Sequence, residues 1–204
     1  MTEHETKEVI SGNTYDKYGT KNPIAKWLMK KFLTDLSIAL NSLKFSSLLE
    51  IGCGEGYLLK SLENDLQGIK IMATDLSPKI ISQADYIIPE IPKMVCSAYD
   101  LPFKDNSWDM ILACEVMEHV DNPRKLLAEA RRVSAKHCIF TVPLEPWWRV
   151  ANILRGKYLM KLGNTPGHIQ HWGKTSFTNQ VKETFQKIQY KRVGLWQMII
   201  ARSH

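Results

Sequence analysis

The chain has 204 residues, of which 44% are hydrophobic and 24% are charged. This length suits one globular domain, and the composition excludes a disordered, collagen-like or coiled-coil protein. The net charge of +6 is mild and the 27 Lys and Arg residues are scattered, whereas nucleic-acid binders usually concentrate their positive charge. The longest apolar runs fall well short of the roughly 18–20 residues of a membrane span, so no transmembrane segment is expected.

The first residues of the chain and its cysteines both favour a cytoplasmic protein. Residues 1–12 are polar and partly acidic, which is unlike a signal or transit peptide. The four cysteines are widely spaced and form no Cys-x-x-Cys pair; they are Cys53, Cys96, Cys114 and Cys138. Each lies in an apolar, strand-like sequence, where a free thiol behaves as a small hydrophobic side chain. We therefore expect reduced thiols in the core.

Predicted strands and helices alternate along the chain up to residue 144. Residues 22–43 have helical apolar spacing, with Pro23 near the start. Apolar runs and helical patterns then follow in the order strand 46–53, helix 56–66, strand 69–75, helix 77–88, strands 93–98 and 108–116, helix 121–135 and strand 136–144. Asp121 is the predicted cap of its helix, with Pro123 in the first turn.

The remaining residues follow a less regular pattern. They predict a tryptophan-rich helix over 146–162, turns over 163–174 and a helix over 175–183. Two final strands, 185–193 and 196–203, are separated by a short turn and should pair as an antiparallel hairpin. The earlier alternation predicts an α/β fold with an open, mostly parallel, doubly wound sheet. Such sheets bind ligands beyond the carboxyl ends of their strands.

Three glycines, Gly52, Gly54 and Gly56, join the first strand to its helix. Glycine permits positive φ angles and lets a ligand approach the bare backbone. The dinucleotide fingerprint requires G-x-G-x-x-G, and Tyr57 stands where its third glycine is needed. The turn therefore counts against a nicotinamide oxidoreductase. A tight turn that uses glycine for purely structural reasons is the alternative.

Three acidic residues lie 25 positions apart, each at or near the end of a predicted strand: Glu50, Asp75 and Asp100. Asp75 can accept hydrogen bonds from both hydroxyls of a ribose, and it can also serve as an ordinary helix cap. Asp100 can accept from an adenine amino group, or it can be a solvated loop residue. Glu50 lies inside a buried strand and needs a partner, which a ligand ammonium group would supply. Together the acids favour a cationic nucleoside without phosphates, as S-adenosylmethionine is.

Five ordered motifs resemble those of class I S-adenosylmethionine-dependent methyltransferases. They are EIGCGEG, ATDLSP, SAYDLPF, DNSWDMILACEVMEHV and the terminal hairpin. The closest resemblance is to the methyltransferase type 11 group, which includes the ubiquinone- and menaquinone-biosynthesis methyltransferases, and it covers about residues 15–203. It implies a Rossmann-like sheet of seven strands with an antiparallel last strand. It also implies S-adenosyl-L-methionine as cofactor and S-adenosyl-L-homocysteine as product.

The resemblance assigns roles to residues on the cofactor side. Glu50, Gly52, Gly54 and Gly56 would face the methionine part, Asp75 and Leu76 the ribose, and Asp100 and Leu101 the adenine, while Cys114 would line the pocket through its backbone. Tyr15 and Tyr18, before the first helix, are candidates to fold over the cofactor, with Tyr18 on the acceptor side. A surface tether is the alternative for this segment.

The segment after the fourth strand holds candidate residues for the acceptor side. Glu118 and His119 would lie on the floor of the acceptor site, where His119 can act as a general base or be structural. With Glu115 and either His168 or His171, they offer ligands for a divalent ion. This spacing resembles the metal site of certain small-RNA and quinone O-methyltransferases. The sequence does not show that these side chains converge, so a site without metal is predicted.

Residues 146–162 have a partly amphipathic helical pattern, with Trp147, Trp148 and Leu154 on one side of the wheel. This segment is interpreted as a lid over an apolar acceptor or a helix at a membrane interface. A helix packed on the domain with its basic side solvated is the alternative. His168, His171 and Trp172 are further candidates for the acceptor side.

The predicted function is methyl transfer from S-adenosylmethionine to an O, N or C atom of a small, apolar, quinone- or lipid-like acceptor. An RNA-directed methyltransferase and a cofactor-binding protein without turnover are the alternatives; residues such as Arg131 and Arg132 permit the first. Contact with a membrane surface is allowed, and the chain is expected as a monomer or homodimer. The single domain is divided into a segment covering the cofactor, a cofactor-binding core, an acceptor-side insertion and a terminal helix with its hairpin, over 1–44, 45–144, 145–174 and 175–204.

Overall fold

Strands and helices alternate around one sheet in the computed structural model, which describes residues 22–156 and 158–204. The strands are β1 Ser47–Ile51, β2 Lys70–Asp75, β3 Lys93–Val95, β4 Trp108–Cys114, β5 Ser134–Pro143, β6 Lys187–Val193 and β7 Trp196–Arg202. The helices are α1 Pro23–Asn41, α2 Tyr57–Ser61, α3 Pro78–Ile87, α4 Pro123–Val133, α5 Trp147–Leu154 and α6 Lys174–Lys182, and a 3-10 turn spans Leu159–Lys161.

The seven strands lie in the order β3-β2-β1-β4-β5-β7-β6. Strands β1 to β5 pair in parallel, while β7 runs antiparallel to both β5 and β6. The predicted doubly wound sheet with a reversed last strand and a terminal hairpin is therefore confirmed. The strand order reverses between β1 and β4, and the crevice at such a switch point is where open α/β sheets bind ligands.

Helices cover both faces of the sheet. Successive side chains of a strand point to opposite faces, so each strand contributes to two apolar layers. On one face α1, α2 and α3 pack against strand residues such as Leu48, Met110 and Leu112. On the other face α4 and α6 pack against Leu49 and Ile111. Burial on both faces explains why the parallel strands are continuous apolar runs in the sequence. Among the described residues, no helix has the length and apolar content needed to cross a membrane.

Helices α1, α3 and α4 begin where side chains cap their free N–H groups. Asn22 accepts from the N–H of Ile24 at 2.9 Å, just before α1. Asn122 caps α4 by accepting from the N–H of Lys125 at 3.1 Å. The prediction that Asp121 caps this helix was wrong by one residue, because the Asp121 carboxylate instead accepts from the hydroxyl of Tyr99.

Two predicted helices are shorter in the structure. The helix expected over 56–66 ends at Ser61 and continues as turns, in which Asp65 accepts from Ser37 Oγ at 2.8 Å on α1. The helix expected over 146–162 ends at Leu154, shortly before Gly156 with its φ of +68°.

The early end of α5 overturns the predicted helical wheel. Trp148 is buried and shares its face with Asn152, whose Nδ2 donates to the Gly163 carbonyl at 2.8 Å. Trp147 and Leu154 point to solvent with exposed fractions of 53% and 82%. Trp147 and Trp148 are therefore not on one side of the helix. The buried face carries the polar Asn152, whose hydrogen bond joins the helix to the following turn.

All four cysteines are free thiols; Cys53, Cys114 and Cys138 are buried and Cys96 is half-buried. Burial raises the pKa of the Cys138 thiol to about 12, so this thiol is un-ionised at neutral pH. The predicted role of the cysteines as small core side chains fits these positions.

Candidate functional site

The turn between β1 and α2 is built on three glycines with positive φ angles: +70° at Gly52, +56° at Gly54 and +87° at Gly56. A Cβ atom on Gly52 would lie 2.6 Å from the side chain of Val116, and one on Gly56 would lie 2.7 Å from Ile88. These two glycines are required by packing. A Cβ atom on Gly54 would meet nothing within 4 Å, so the backbone of the turn faces open space at this residue.

Asp75 ends β2 and ties that strand to the glycine turn. Its Oδ2 accepts from the N–H of Gly54 at 3.1 Å, and its Oδ1 accepts from the N–H of Ser77 at 3.0 Å. Ser77, rather than Asp75, caps α3 by accepting from the N–H of Ile80. Each carboxylate oxygen keeps acceptor capacity for a ligand hydroxyl, and the neighbouring Leu76 is 53% exposed.

Glu50 is a carboxyl group buried within β1, with an exposed fraction of 2%. Its Oε2 atom has no hydrogen-bond partner among the described residues. Burial, followed by the negative charge of Asp75, raises the pKa of Glu50 to about 8. A cationic ligand would relieve both effects, because it favours the ionised form of a carboxyl group that water does not reach. The arrangement is therefore chemically suited to a cationic ligand.

The Asp100–Leu101 turn after β3 is held by two residues of α4. The N–H of Leu101 donates to Glu129 Oε2 at 2.9 Å, and its carbonyl accepts from Arg132 Nη2 at 2.8 Å. Glu129 and Arg132 also form an ion pair at 2.7 Å. Asp100 is exposed at the tip of the turn while the side chain of Leu101 is buried. Sequence reasoning missed this ion pair, whose only sequence signal is the ordinary three-residue spacing of a helix.

Arg132 is therefore used inside the protein, where it also donates to the carbonyl of Phe103 at 2.7 Å. Arg131 donates to the carbonyl of Thr184 at 2.9 Å. These two arginines are among the cations that permit the hypothesis of an RNA-directed methyltransferase. Because both donate hydrogen bonds within the protein, they count against that hypothesis.

The end of β4 lies next to the acidic residues of both halves of the site. Cys114 is buried, and burial raises the pKa of its thiol well above the usual value, with Glu50, Glu115 and Glu118 adding to the rise. All three carboxyl groups are thus near enough to act on one thiol. Glu50 and Glu118 therefore belong to the same acidic region of the sheet edge.

Glu118, His119 and His168 converge in one cluster that follows β4. One ligand atom from each lies within 4.8 Å of the other two, and the two imidazole rings stand edge to face at 4.9 Å. The Glu118 carbonyl accepts from the N–H groups of Ile169 and Gln170 at 2.9 and 3.1 Å. These bonds fasten the loop that carries His168 to the turn after β4, and so bring residues 49 positions apart into one cluster.

The other predicted acceptor-side residues are not part of this cluster among the described residues. His171 is directed to Glu145, with Nδ1 to Oε1 at 3.7 Å, and Trp172 is buried against Phe177 with ring centroids 6.2 Å apart. Trp147 is exposed on α5. Tyr15 and Tyr18 lie outside the described residues, and Glu115 is not one of the three residues that converge.

Part of the chain is similar to known methyltransferases. Residues 49–142 match a protein family described as a methyltransferase domain. Malonyl-[acyl-carrier protein] O-methyltransferase from Hahella chejuensis is 32% identical over 88 residues, which are 42% of this chain and 32% of that protein. Demethylmenaquinone methyltransferase from Thermotoga maritima is 27% identical over 124 residues, which are 58% of this chain and 52% of that protein. The chain thus spans about a third to a half of the length of these relatives.

A solved structure shares the whole fold. It is described as an S-adenosylmethionine-dependent methyltransferase, possible histamine N-methyltransferase, from Thermotoga maritima, with a TM-score of 0.64 at 18% identity, and the match covers 89% of this chain and 94% of that chain. The three named proteins differ in their acceptors. The matched range 49–142 contains the glycine turn and the acidic residues but ends before the loop that carries His168.

Proposed function

We propose that the chain is a class I methyltransferase, related to the family that matches residues 49–142, and that it transfers a methyl group from S-adenosylmethionine to a small acceptor in the cytoplasm. The observation that carries the proposal is the buried Glu50 carboxyl, whose Oε2 has no partner among the described residues, beside a glycine turn open at Gly54. A cationic amino-acid ligand has a positive charge that pairs with Glu50 and a carboxylate that binds the backbone at Gly54.

The residues at the carboxyl ends of β1, β2 and β3 fit the parts of that cofactor. Glu50 would hold the ammonium group, the backbone at Gly54 the carboxylate and Asp75 the ribose hydroxyls. Asp100 would accept from the adenine amino group beside Leu101, and Cys114 would line the pocket through its backbone. When bound, the cofactor supplies a methyl group on a positively charged sulfur.

The transfer is an in-line displacement at an O, N or C atom of the acceptor, and it depends chiefly on alignment. His119 lies on the acceptor side with its Nδ1 3.0 Å from the carbonyl of Gly167. A carbonyl only accepts hydrogen bonds, so this contact places the imidazole proton on Nδ1. The Nε2 atom then has the lone pair that a general base needs.

We propose that residues 145–174 form the acceptor side of the pocket and that the acceptor is apolar, quinone- or lipid-like. His168 stacks on Trp148, with ring centroids 6.4 Å apart, which links the cluster to α5. The adjoining surface exposes Trp147, Leu154, Leu159, Met160 and Leu162. An exposed apolar patch of this kind is typical of a contact with an apolar ligand, a protein or a membrane surface, and we propose a peripheral contact with a membrane.

Cofactor binding is tested with Gly54→Ala and a matched control, Gly68→Ala. Both glycines have positive φ, +56° and +75°, and a Cβ atom on either would meet nothing within 4 Å. Each substitution should therefore cost a similar ~1–2 kcal/mol of stability from backbone strain. Only Gly54→Ala places a methyl group over the predicted methionine position, so only this variant should lose cofactor affinity.

The measurement is thermal unfolding with S-adenosylmethionine, S-adenosylhomocysteine and NADH in parallel. A ligand at 100 times its Kd adds about 2.7 kcal/mol of stability, which raises the midpoint by roughly 5–10 °C for a domain of this size. The two sulfur ligands should produce this shift in the wild type and in Gly68→Ala. A shift with NADH alone, or an equal loss in both variants, would contradict the proposal.

A further inference from the structure

We propose that Glu118, His119 and His168 bind a divalent transition-metal ion on the acceptor side of the site. Their ligand atoms lie within 4.8 Å of one another, and side-chain rotations would have to bring them to the shorter separations set by metal bonds of about 2.0–2.2 Å. Two imidazoles and one carboxylate are the donor set that suits Mn²⁺, Fe²⁺, Co²⁺ or Zn²⁺. The sequence predicted no metal, since its spacing alone does not show that His168 meets the other two.

The hydrogen bonding of His119 prepares this residue as a ligand. Its Nδ1 faces the Gly167 carbonyl at 3.0 Å, and metal-bound histidines usually donate their second ring N–H to such a carbonyl. Nε2 then carries the lone pair that binds the ion. The carbonyl belongs to the residue before His168, so one loop both orients the first imidazole and supplies the second.

The burial of the three residues gives the cluster a closed and an open side. Glu118 and His168 have exposed fractions of 1% and 7%, whereas His119 is exposed. The Glu118 backbone is fixed by the N–H groups of Ile169 and Gln170, and the His168 ring lies on Trp148. An ion bound here would be coordinated by the fixed side chains of Glu118 and His168 on the buried side. It could take a further oxygen ligand from the exposed side.

Three protein ligands leave at least one coordination position vacant, as in catalytic metal sites. The chemical step rests on the proposed function: the vacant position would take a hydroxyl oxygen of the acceptor, and the ion would lower the pKa of that hydroxyl. The proton leaves to water, and the oxygen forms the new bond to the methyl carbon. The carbon–sulfur bond breaks, and its electron pair remains on sulfur as the neutral thioether. His119 serves as a ligand in this mechanism and not as the base.

The test measures metal binding directly, with chelator-treated protein titrated with Co²⁺ in the absence of acceptor. Visible absorption bands of bound Co²⁺ and calorimetry should report one ion per chain. His168→Ala should weaken binding by about 10- to 100-fold or more, at least the loss caused by removing an outer partner of a metal ligand. His171 lies in the same loop, but its imidazole faces Glu145. The His171→Ala variant should therefore bind Co²⁺ like the wild type.

Cofactor-induced thermal stabilisation is measured on the same proteins. His168→Ala should keep the S-adenosylmethionine shift, because the cofactor side is built from other residues, and this also shows that the variant folds. His119→Ala, an exposed position, provides a second ligand variant that should lose Co²⁺. Wild-type protein that binds Co²⁺ no better than the two variants would overturn the metal site. If the wild type binds Co²⁺ but S-adenosylmethionine does not raise its unfolding midpoint, the proposed function alone would be overturned.

Discussion

The buried carboxyl group of Glu50 makes the stability of the fold depend on pH. Its carboxyl group has a pKa raised from 4.5 to about 8, first by burial and then by Asp75. The folded protein therefore retains a proton that the unfolded chain loses between these two values. Stability falls as the pH rises through this window, because the unfolded state then binds fewer protons than the native state.

The substitution Glu50→Gln should remove this pH dependence. Between pH 5 and pH 8 the ligand-free wild type should lose on the order of 3 kcal/mol more unfolding free energy than the variant, given about 1.36 kcal/mol per pKa unit. Urea unfolding at both pH values measures the difference. The variant should also bind S-adenosylmethionine about 10-fold or more weakly, since it lacks the buried charge partner of the ammonium group.

Glu63→Gln is the matched control, because Glu63 is an exposed glutamate paired with Lys60 at 2.6 Å. It should leave both the pH dependence and the cofactor affinity unchanged. If Glu50→Gln and the wild type lost stability in parallel between pH 5 and pH 8, the raised pKa of Glu50 would be refuted.

Site residues at strand ends could be predicted from the sequence. That His168 joins Glu118 and His119 in one cluster could not. Glu50 and Asp75 follow or interrupt apolar runs, so a reading of strands places them at one edge of the sheet. His168 lies 49 residues from His119 in a loop without periodicity. The hydrogen bonds from Ile169 and Gln170 to the Glu118 carbonyl and the contact of His119 with the Gly167 carbonyl bring it to the cluster, and such bonds leave no pattern in the sequence.

At the level of elements, α4 holds the loop that carries the predicted adenine contact. Arg132 donates to the carbonyls of Leu101 and Phe103 and pairs with Asp105 and Glu129. Removal of this side chain releases four acceptors at once. The loop after β3 should then lose its fixed position relative to the end of β2.

Arg132→Ala should lower the unfolding free energy by about 1–3 kcal/mol and weaken cofactor binding by up to about 10-fold, since ~1.4 kcal/mol of lost order is tenfold in affinity. Calorimetric titration with S-adenosylhomocysteine measures the affinity. Arg131→Ala, on the same helix but bonded to the Thr184 carbonyl, should leave that affinity unchanged. Equal affinities for the two variants would show that the loop is positioned without Arg132.

The strands were better predicted than the helices, for a physical reason. The parallel strands are buried on both faces and appear in the sequence as uninterrupted apolar runs. The ends of α2 and α5 depend instead on tertiary bonds, from Ser37 to Asp65 and from Asn152 to Gly163. Apolar spacing continues past both ends, since Leu62 and Leu66 are buried in turns rather than in a helix.

Across the whole molecule, the Lys and Arg residues are scattered, but the net positive charge arises in one stretch that lacks acidic residues. Residues 146–182 contain six Lys and Arg residues and neither Asp nor Glu, which equals the net charge of +6 of the chain. The same stretch exposes Leu154, Met160 and Leu162 with fractions of 82%, 98% and 69%. A stretch that exposes apolar side chains and carries Lys and Arg but no Asp or Glu has the composition of a surface that binds anionic lipid headgroups. An apolar acceptor would then be drawn from the membrane beside the cluster of Glu118, His119 and His168.

The chain should therefore bind vesicles that contain phosphatidylglycerol and bind poorly to phosphatidylcholine alone, with binding weakened by high salt because the attraction is screened. The double substitution Leu154→Asn with Met160→Asn should reduce vesicle binding at least ~10-fold, since each buried Leu or Met contributes about 1.5–3 kcal/mol. Both side chains are exposed, so the fold should persist. Tyr86→Asn removes an aromatic side chain that is 86% exposed on α3 and should have no effect. Equal binding to both lipids, or an equal loss in the control, would mean that residues 146–182 face water or a protein rather than a membrane.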